Sequence, residues 1–392
     1  METIHDDIIF TLTDAHGGVE LADWSVTSAA LGLSGTPFEI VKRTLAGGRQ
    51  QGSALLTVRA GRLAVTVIPT RGMGIYKASL DGVVFGWDSP VDEVVHPAFM
   101  RLGERGGLGW LEGFNELMVR CGYEWTGHPM TDGGKVYTLH GRAGNTPASH
   151  VEVRIDRRPP HRIAIRGVIK EKAFKTLDFE TVTELTVVPG DTGFSLDDRL
   201  RNRGDYASPF EVIYHTNVGR PVLGEGARVV GPFTDVAPFN DAAKPGLASW
   251  DRYLGPTRDF DEMLYACRLA AGPDGRTAVA LVNAAATLGF AVHYHVAEMP
   301  AFTLWKNTDT DKQGYVTGLE PGSNYPYPLP VERAAGRLRT LEAGGEARFR
   351  VGFDLLTDAA AVSACLDRIA ALTPEASVRL HETTVYRPPL GG

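Results

Sequence analysis

The chain has 392 residues, of which 43% are hydrophobic and 22% are charged, and its formal net charge at pH 7 is −7. This is the composition of a globular protein that is large enough to bury a substantial core. Nucleic acids and anionic membranes select surfaces rich in lysine and arginine, so the weakly acidic balance argues against both as main partners.

The N-terminal sequence and the cysteines favour a cytoplasmic protein. We find neither the basic nor the apolar segment of a secretory signal, and no apolar run of membrane-spanning length. Cys121, Cys267 and Cys365 are far apart and form no Cys-x-x-Cys pair. We therefore expect three reduced thiols, with no disulfide framework and no structural zinc site.

Short runs of alternating apolar and polar residues, separated by Gly, Pro, Asp and Asn, dominate the chain. Such alternation is typical of β-strands with one buried face. The predicted strands span residues 54–59, 62–69, 74–80, 150–156, 162–170, 181–188, 194–201, 210–218, 278–282, 289–296, 301–305, 315–319 and 347–355. Their spacing favours a sandwich or barrel over β–α–β units. We predict an all-β fold in which residues 1–392 form a single domain.

Helix signals are few. Residues 359–372 carry apolar side chains at helical spacing, with Asp358 as the N-cap, and predict a helix packed on one sheet. Residues 91–116 mix Pro, Gly and Trp without a clear period. We predict a long loop there with one helical turn, and loops of this length in compact β proteins tend to be functional.

Four segments place polar side chains where a plain β core would not need them. Arg71 follows an apolar strand between glycine-rich residues, His140 ends a short apolar run, and Glu320 stands at a strand end. His215 alternates with Asn217 on one face of a predicted strand. Each also has an ordinary interpretation: a surface arginine, a turn histidine, an exposed carboxylate and a hydrogen-bonded core histidine.

These residue types suit the binding and chemistry of sugars. The guanidinium of Arg71 offers a rigid fork of donors to hydroxyls or a carboxylate. The indole of Trp305 is a large amphipathic surface on which a sugar can stack. A converging His215 and Glu320 would support general acid–base catalysis near neutral pH.

The order of these motifs resembles the galactose mutarotase (aldose 1-epimerase) superfamily, and more closely an aldose 1-epimerase-like branch of it. The matching motifs are Pro-Thr-Arg-Gly-Met at 69–73, Leu-His-Gly-Arg at 139–142, Tyr-His-Thr-Asn-Val-Gly at 214–219 and Leu-Glu-Pro at 319–321. The match extends from about residue 54 to residue 353. The resemblance implies a large antiparallel β-sandwich with few helices, whose site lies in a groove on one sheet.

The resemblance also implies a role for each site residue. His215 corresponds to the general acid that protonates the ring oxygen, and Glu320 to the base that takes the proton of the anomeric hydroxyl. His140 orients the substrate, Arg71 binds hydroxyls, and Trp305 forms the stacking wall. These roles require a charged His215 and an ionised Glu320 in the resting enzyme, and they predict a bell-shaped pH–rate profile.

We therefore predict a carbohydrate isomerase that interconverts sugar anomers by ring opening and closing, without a cofactor or a metal. Asn217 is a further candidate for substrate binding. Arg142 and Lys306 could meet an acidic or phosphorylated sugar, although solvated surface cations are the more ordinary interpretation. Tyr-His-Thr-Asn replaces the Asn-His-x-Tyr-Phe-Asn-Leu run of the main mutarotases, which leaves the sugar and the reaction open.

Three alternatives remain. The same acid–base pair could move a proton on the carbon of a keto-sugar, giving epimerisation, isomerisation or elimination. A non-catalytic sugar-binding protein would need neither member of the pair. His293 and His295 lie two residues apart on one strand face, with Glu298 nearby, and could bind a metal in a sugar isomerase. Two solvent-facing histidines are the simpler interpretation of that segment.

Overall fold

The computed structural model describes residues 7–383, and these residues form two large sheets with few helices. The described strands are β1 Asp7–Asp14, β2 Val19–Glu20, β3 Trp24–Thr27, β4 Phe38–Thr44, β5 Ala54–Ala60, β6 Leu63–Ile68, β7 Gly74–Leu80, β8 Val83–Phe85, β9 Met118–Tyr123, β10 Met130–Asp132, β11 Lys135–Tyr137, β12 His150–Asp156, β13 Ile163–Ala173, β14 Leu177–Val187, β15 Gly193–Asn202, β16 Ser208–Val218, β17 Arg228–Val230, β18 Phe233–Pro238, β19 Met263–Leu269, β20 Arg276–Val282, β21 Gly289–His295, β22 Ala301–Thr308, β23 Tyr315–Gly322, β24 Arg339–Leu341, β25 Glu346–Leu356 and β26 Arg379–Leu380. The α-helices are α1 Glu104–Gly107, α2 Leu329–Ala334 and α3 Ala359–Ala370.

Both sheets are antiparallel, except for one short parallel pair of strands in the larger sheet. The larger sheet has 14 strands, in the order β26-β18-β19-β22-β23-β16-β9-β7-β6-β5-β4-β3, with β8 beside β7 and β24 beside β16. The smaller sheet has ten strands, in the order β17-β20-β21-β25-β15-β14-β13-β12-β1-β2. Strands β18 and β26 pair in parallel, and β10 and β11 form a separate hairpin. The predicted all-β sandwich is confirmed.

The alternation of residues along the strands explains how the two sheets pack. In β14, every second residue is buried, and the residues between are half-buried. Because successive side chains of a strand point to opposite faces, this pattern turns one face of β14 to the other sheet. Inward residues of both sheets, such as Phe179 and Tyr214, join one large hydrophobic cluster.

Every strand predicted from the sequence is present, most of them with one to several additional residues. Thirteen of the 26 described strands were not predicted, namely β1–β4, β8–β11, β17–β19, β24 and β26. All six residues of β9 are buried, including Arg120, so this strand lacks the alternation that reveals a strand with one exposed face. The predicted strand 315–319 is longer than expected, since β23 continues through Glu320 and Pro321 to Gly322.

The predicted C-terminal helix is confirmed as α3. The side chain of Asp358 accepts a hydrogen bond from the backbone N–H of Ala361, which is the expected N-cap. The buried side chains of Val362, Cys365 and Ile369 pack against the ten-stranded sheet. Within residues 7–383, no helix is long and apolar enough to cross a membrane.

The predicted loop at 91–116 has more helical structure than one turn. It contains the short α1 and two 3₁₀ turns, Pro97–Phe99 and Gly109–Gly113. The loop joins β8 to β9 and reaches across the outer face of the larger sheet, where Trp110 and Phe114 pack with Trp305 of β22 in a second hydrophobic cluster. Cys121, Cys267 and Cys365 are buried, and none of them is paired in a disulfide among the described residues.

Candidate functional site

His215 and Glu320 lie on neighbouring strands of the larger sheet. Strand β16 pairs with β23 so that Ile213 is opposite Gly322 and Thr216 is opposite Leu319. The same register puts His215 opposite Glu320, and residues directly opposite each other point to the same face. Their side chains meet there, with His215 Nε2 lying 3.2 Å from Glu320 Oε1.

The expected position of Glu320 at a strand end was wrong. Glu320 lies inside β23, where it is also opposite Thr303 of β22. Pro321 follows it within the strand and has no N–H to donate to a neighbouring strand. Proline commonly marks the end of a strand in a sequence, whereas here it accompanies a gap in the pairing of β16 with β23.

Asn217 holds the ring of His215. Its Oδ1 lies 2.6 Å from His215 Nδ1. Its Nδ2 donates to the backbone carbonyls of Glu116, at 3.0 Å, and of His215, at 3.2 Å. Asn217 is fully buried, and its polar side-chain atoms are engaged in these contacts. The arrangement makes Asn217 a residue that orients His215.

Burial dominates the electrostatics of the pair, since 5% of His215 and 2% of Glu320 are exposed. Burial lowers the pKa of His215 to about 4, although the hydrogen bond with Asn217 acts in the opposite direction. Burial also raises the pKa of Glu320 well above its usual range, and the negative charge of Glu262 adds to this effect. Both shifts favour neutral side chains at pH 7, contrary to the charged resting pair expected from the sequence.

His140 comes close to the pair from the turn after β11. The centroid of its ring is 5.4 Å from that of His215, and its Nδ1 lies 2.8 Å from the carbonyl oxygen of Thr126. The backbone φ of His140 is 57°, a conformation that non-glycine residues seldom adopt outside functional or tightly constrained sites. Burial lowers the pKa of His140 well below its usual value, and His215 adds to the shift.

Aromatic rings surround the pair. Trp305 lies beside His215 with a centroid distance of 5.4 Å, and its indole N–H donates to Glu262 Oε2 at 3.1 Å. Phe114 is 5.3 Å from His215, and Trp110 is 4.7 Å from His140. Trp110 and Phe114 were not predicted as individual site residues. The sequence signal for them was the long aperiodic loop that carries them.

Arg71 is completely buried and makes protein contacts on both of its terminal nitrogens. Its Nη2 lies 2.5 Å from Glu116 Oε1, and its Nη1 donates to the carbonyl of Gly113 at 2.6 Å and to Asn115 Oδ1 at 3.2 Å. These bonds fasten the loop that carries Phe114 to the sheet. A direct contact of Arg71 with substrate stays a prediction.

Two cations considered for an acidic substrate lie in different surroundings. Arg142 is exposed, with its guanidinium 5.5 Å from the ring centroid of Trp125. Lys306 is buried on the face of β22 opposite Trp305, where its Nζ donates to the carbonyls of Trp250 and Arg252. The interpretation of Lys306 as a surface cation was therefore wrong.

The histidines considered for a metal site belong to the ten-stranded sheet. His293 Nε2 is 3.6 Å from Asp354 Oδ1, and His295 Nδ1 accepts a hydrogen bond from the backbone of Ala297. Glu298 is bound by Arg350. Among residues 7–383, no three His, Cys, Asp or Glu side chains are grouped so that they could hold a metal ion.

A cavity of about 460 Å³ opens beside Trp305. It shares Glu262 with the indole hydrogen bond, and it is also lined by Leu264, which is opposite Trp305 in the pairing of β19 with β22. Asp261 and Asp309 add two more carboxyl groups, and no arginine or lysine lines the cavity. The lining of this cavity is therefore acidic and partly aromatic, and it does not include His215 or Glu320.

Comparison with known proteins identifies relatives across nearly the whole chain. A family model described as "Domain of unknown function (DUF4432)" matches residues 50–355. A crystal structure of a "putative aldose 1-epimerase" from Klebsiella pneumoniae subsp. pneumoniae is 47% identical, covers 97% of this chain and 99% of its own, and has a TM-score of 0.95. No curated protein sequence matches the chain.

More distant solved structures share the fold. A galactose mutarotase-like protein from Clostridium acetobutylicum is 13% identical, with coverage of 80% of this chain and 97% of its own and a TM-score of 0.54. A galactose mutarotase related enzyme from Lactobacillus acidophilus is 14% identical, with coverage of 78% and 98% and a TM-score of 0.51. At these identities the likeness concerns the fold alone.

Proposed function

Because the chain belongs to the family described as a domain of unknown function (DUF4432), within the aldose 1-epimerase-like branch of the galactose mutarotase superfamily, we propose that it interconverts the anomers of a sugar. The proposed activity is that of an isomerase acting on a cyclic hemiacetal. The observation that carries the proposal is the buried pair of His215 and Glu320, whose side chains lie 3.2 Å apart on adjacent strands.

The chemistry of ring opening needs two proton transfers. The anomeric hydroxyl must lose a proton, and the ring oxygen must gain one. Two neighbouring groups that hold one transferable proton can carry out both transfers and then reverse them after rotation about C1–C2. Each positioned proton transfer contributes about 10²–10⁴-fold to the rate. The reaction requires no cofactor.

The surroundings of the pair support a sugar as the substrate. We propose that Trp305 and the cavity beside it hold the ring, since amphipathic indoles suit the C–H faces of sugars. The imidazole ring of His140 is proposed to accept a hydrogen bond from a hydroxyl group of the sugar. Arg71 and Arg142 are also proposed to bind the substrate. Arg71 would do so from within the protein, and Arg142 from the solvent-exposed surface.

The acidic lining of the cavity favours an uncharged sugar. Asp261, Glu262 and Asp309 would repel a carboxylate or phosphate on the substrate, and the cavity lining supplies no cation to offset them. Lys306 points to the opposite face and does not alter this balance. We therefore propose neutral aldoses as the substrate class.

The test is one-dimensional proton NMR of freshly dissolved α-anomers in D₂O, across neutral aldoses, sugar acids and keto-sugars. We expect wild type to accelerate anomer equilibration of neutral aldoses, and Glu320→Gln to lose at least about 100-fold of that rate. Glu184→Gln, on the ten-stranded sheet and paired there with Arg162, serves as the matched control and should retain the rate.

The same spectra separate the competing functions. Equal acceleration by wild type and Glu320→Gln would contradict the proposed pair. Loss of carbon-bound proton signals would assign the enzyme to epimerisation, isomerisation or elimination of keto-sugars, because anomer interconversion exchanges only hydroxyl protons. Binding without any acceleration would indicate a sugar-binding protein.

A further inference from the structure

Glu116 connects the long loop at residues 91–116 to strand β16. It is the last residue of this loop, two positions before β9, and it is fully buried. Its side-chain carboxyl group binds Arg71, whereas its backbone carbonyl accepts hydrogen bonds from the side chains of Asn217 and Trp87. One residue therefore belongs to two sets of contacts at the edge of the candidate site.

The carboxyl group of Glu116 fastens the loop at its C-terminal end. Its Oε1 lies 2.5 Å from Arg71 Nη2, and its Oε2 accepts a hydrogen bond of 3.1 Å from the backbone N–H of Asn115. The side chain of Asn115 donates through Nδ2 to the carbonyls of Val91 and Glu93, at 3.1 and 2.8 Å. Because Val91 and Glu93 begin the loop, these contacts hold both of its ends together.

The backbone carbonyl of Glu116 fixes the amide of Asn217. It accepts hydrogen bonds from Asn217 Nδ2 at 3.0 Å and from Trp87 Nε1 at 3.1 Å. With Nδ2 held in this way, Oδ1 of the same amide lies 2.6 Å from His215 Nδ1. A shift of the Glu116 carbonyl would therefore turn the amide, and the imidazole ring bonded to that amide would lose its orientation.

The same loop also packs aromatic rings against His215. The ring centroid of Phe114, two residues before Glu116, is 5.3 Å from that of His215, and the centroid of Trp110 is 6.1 Å from it. Trp87, which shares the Glu116 carbonyl, lies 4.9 Å from Phe114. The imidazole ring is thus constrained by the loop in two ways, through packed rings and through the amide held by the last carbonyl of the loop.

We propose that Glu116 is a positioning residue for the interconversion of sugar anomers, which holds the amide of Asn217 and, through it, the ring of His215 in the reactive orientation. This inference rests on the proposed function. It is carried by the two contacts of Asn217, to the Glu116 carbonyl at 3.0 Å and to His215 at 2.6 Å, together with the buried ion pair that fixes Glu116.

The first test separates kcat from KM. Glu116→Gln keeps the size of the side chain but removes the charge that binds Arg71, so the end of the loop should shift. We expect kcat for anomer interconversion to fall by about 10- to 100-fold, because a misplacement of about 1 Å can cost about 10²-fold. KM should change little, since Glu116 does not bind the sugar. Saturation kinetics followed by proton NMR gives both constants.

Glu112→Gln is the matched control in the same loop, because Glu112 pairs with the exposed Arg105. It should retain the kcat and the KM of wild type. An unchanged kcat in Glu116→Gln would overturn the proposal. A rise in KM alone would assign the effect to the substrate contact proposed for Arg71, and it would also overturn the positioning role of Glu116.

A double-mutant cycle tests whether Glu116 acts through Asn217. Glu116→Gln should lower kcat in the wild-type background and have little further effect in the Asn217→Ala background, because residues that act through one shared contact are not additive. Additive losses would show that Glu116 affects the rate by another route, which contradicts the proposal.

Hydrogen exchange of the Asn217 side-chain amide tests the same link without any sugar. In wild type, Nδ2 donates to two backbone carbonyls, so its protons should exchange slowly with solvent. Exchange followed by ¹⁵N NMR should be faster by about tenfold in Glu116→Gln, as expected for one weakened hydrogen bond. It should be unchanged in Glu112→Gln. Equal rates in all three proteins would refute the link.

Glu116→Asp is a second variant that serves if Glu116→Gln does not fold. Aspartate keeps the negative charge but is one methylene shorter, so the contacts with Arg71 and with the backbone of Asn115 cannot both be kept in place. We expect a lower kcat and faster exchange of the Asn217 amide. Wild-type values for both quantities would contradict the proposal.

Failure of this inference is distinguishable from failure of the proposed function. If wild type interconverts anomers but Glu116→Gln keeps its kcat and its exchange rate, the isomerase stands and the positioning role is wrong. If no sugar is converted, the proposed function fails, and the exchange rates still decide whether Glu116 holds the amide of Asn217.

Discussion

Glu211, on the strand β16 that carries His215, is a buried carboxyl group like Glu320 of β23. Its Oε2 accepts a hydrogen bond of 2.9 Å from the backbone N–H of Thr126, whose carbonyl oxygen in turn faces His140. Burial raises the pKa of Glu211 to about 8, although the Thr126 hydrogen bond opposes the shift. The side chain therefore supports the His140 turn in its protonated form around neutral pH.

This shift makes stability depend on pH with a defined sign. The folded value of about 8 lies above the ordinary value of 4.5, so between them the folded protein binds more protons than the unfolded chain. The contribution of Glu211 to the free energy of unfolding should therefore be fully present below about pH 4.5. As the pH rises from there to about 8, this contribution should fall by about 1.4 kcal/mol per pH unit.

Glu211→Gln tests this contribution, because glutamine keeps an acceptor for Thr126 and cannot ionise. Chemical denaturation at several pH values should show that the free energy of unfolding of the variant declines less steeply than that of wild type between pH 5 and 8. Glu184→Gln, on the partly exposed part of β14, should leave the slope unchanged. Parallel curves for wild type and Glu211→Gln would refute the pKa shift as the cause.

At the scale of elements, Arg120 of β9 ties the strands behind the site together. Its Nε lies 2.5 Å from Asp198 Oδ2 on β15, and its Nη1 donates to the carbonyl of Met73 at 2.8 Å. The hydroxyl of Tyr214 on β16 also donates to Asp198 Oδ2. The network joins the two sheets on the face of β16 opposite His215, and so it helps to hold the strands that carry the pair.

Removing one partner of this buried network should be costly. Asp198→Asn leaves Arg120 as a buried charge without its counter-ion, and we expect a loss of about 3–5 kcal/mol in the free energy of unfolding. Asp197→Asn, the neighbouring residue on β15, breaks a partly exposed pair with Arg348 and should cost about 0–1 kcal/mol. Urea denaturation of both variants gives the comparison, and similar losses would contradict the assigned network.

At the scale of the whole molecule, the inward faces of both sheets contribute to one continuous cluster of apolar side chains. Phe353 of β25, in the smaller sheet, and Leu319 of β23, in the larger sheet, belong to the same cluster. Neither sheet can separate from the other without exposing this shared surface to water. The shared core supports the proposal of a single domain over the described residues 7–383.

A single core should unfold in one cooperative transition. We expect calorimetry to give a single peak, and tryptophan fluorescence and far-UV circular dichroism to give coincident curves. Ile369→Ala, which leaves a space between α3 and the ten-stranded sheet, should lower the free energy of unfolding by about 2–5 kcal/mol and keep the single transition. Two separated transitions would indicate independent units.

Much of the fold was predictable because strands with one exposed face leave a period of two in the sequence. Strand β14 and helix α3 are examples in which periodicity and capping agree with the structure. Strand β9 could not be predicted in this way, since its residues are buried on both faces and include Arg120, whose polar groups are satisfied only by distant segments.

The amino-acid sequence by itself determined 13 of the 26 described strands, their buried faces and the residue types of the site, because these depend on local periodicity and side-chain chemistry. Only the tertiary structure decided that His215 lies opposite Glu320, because the pairing of β16 with β23 joins segments distant in the chain. It also decided their burial and the orientation of Asn217. Protonation states depend on the surrounding dielectric and hydrogen bonds, which exist only after the chain has folded.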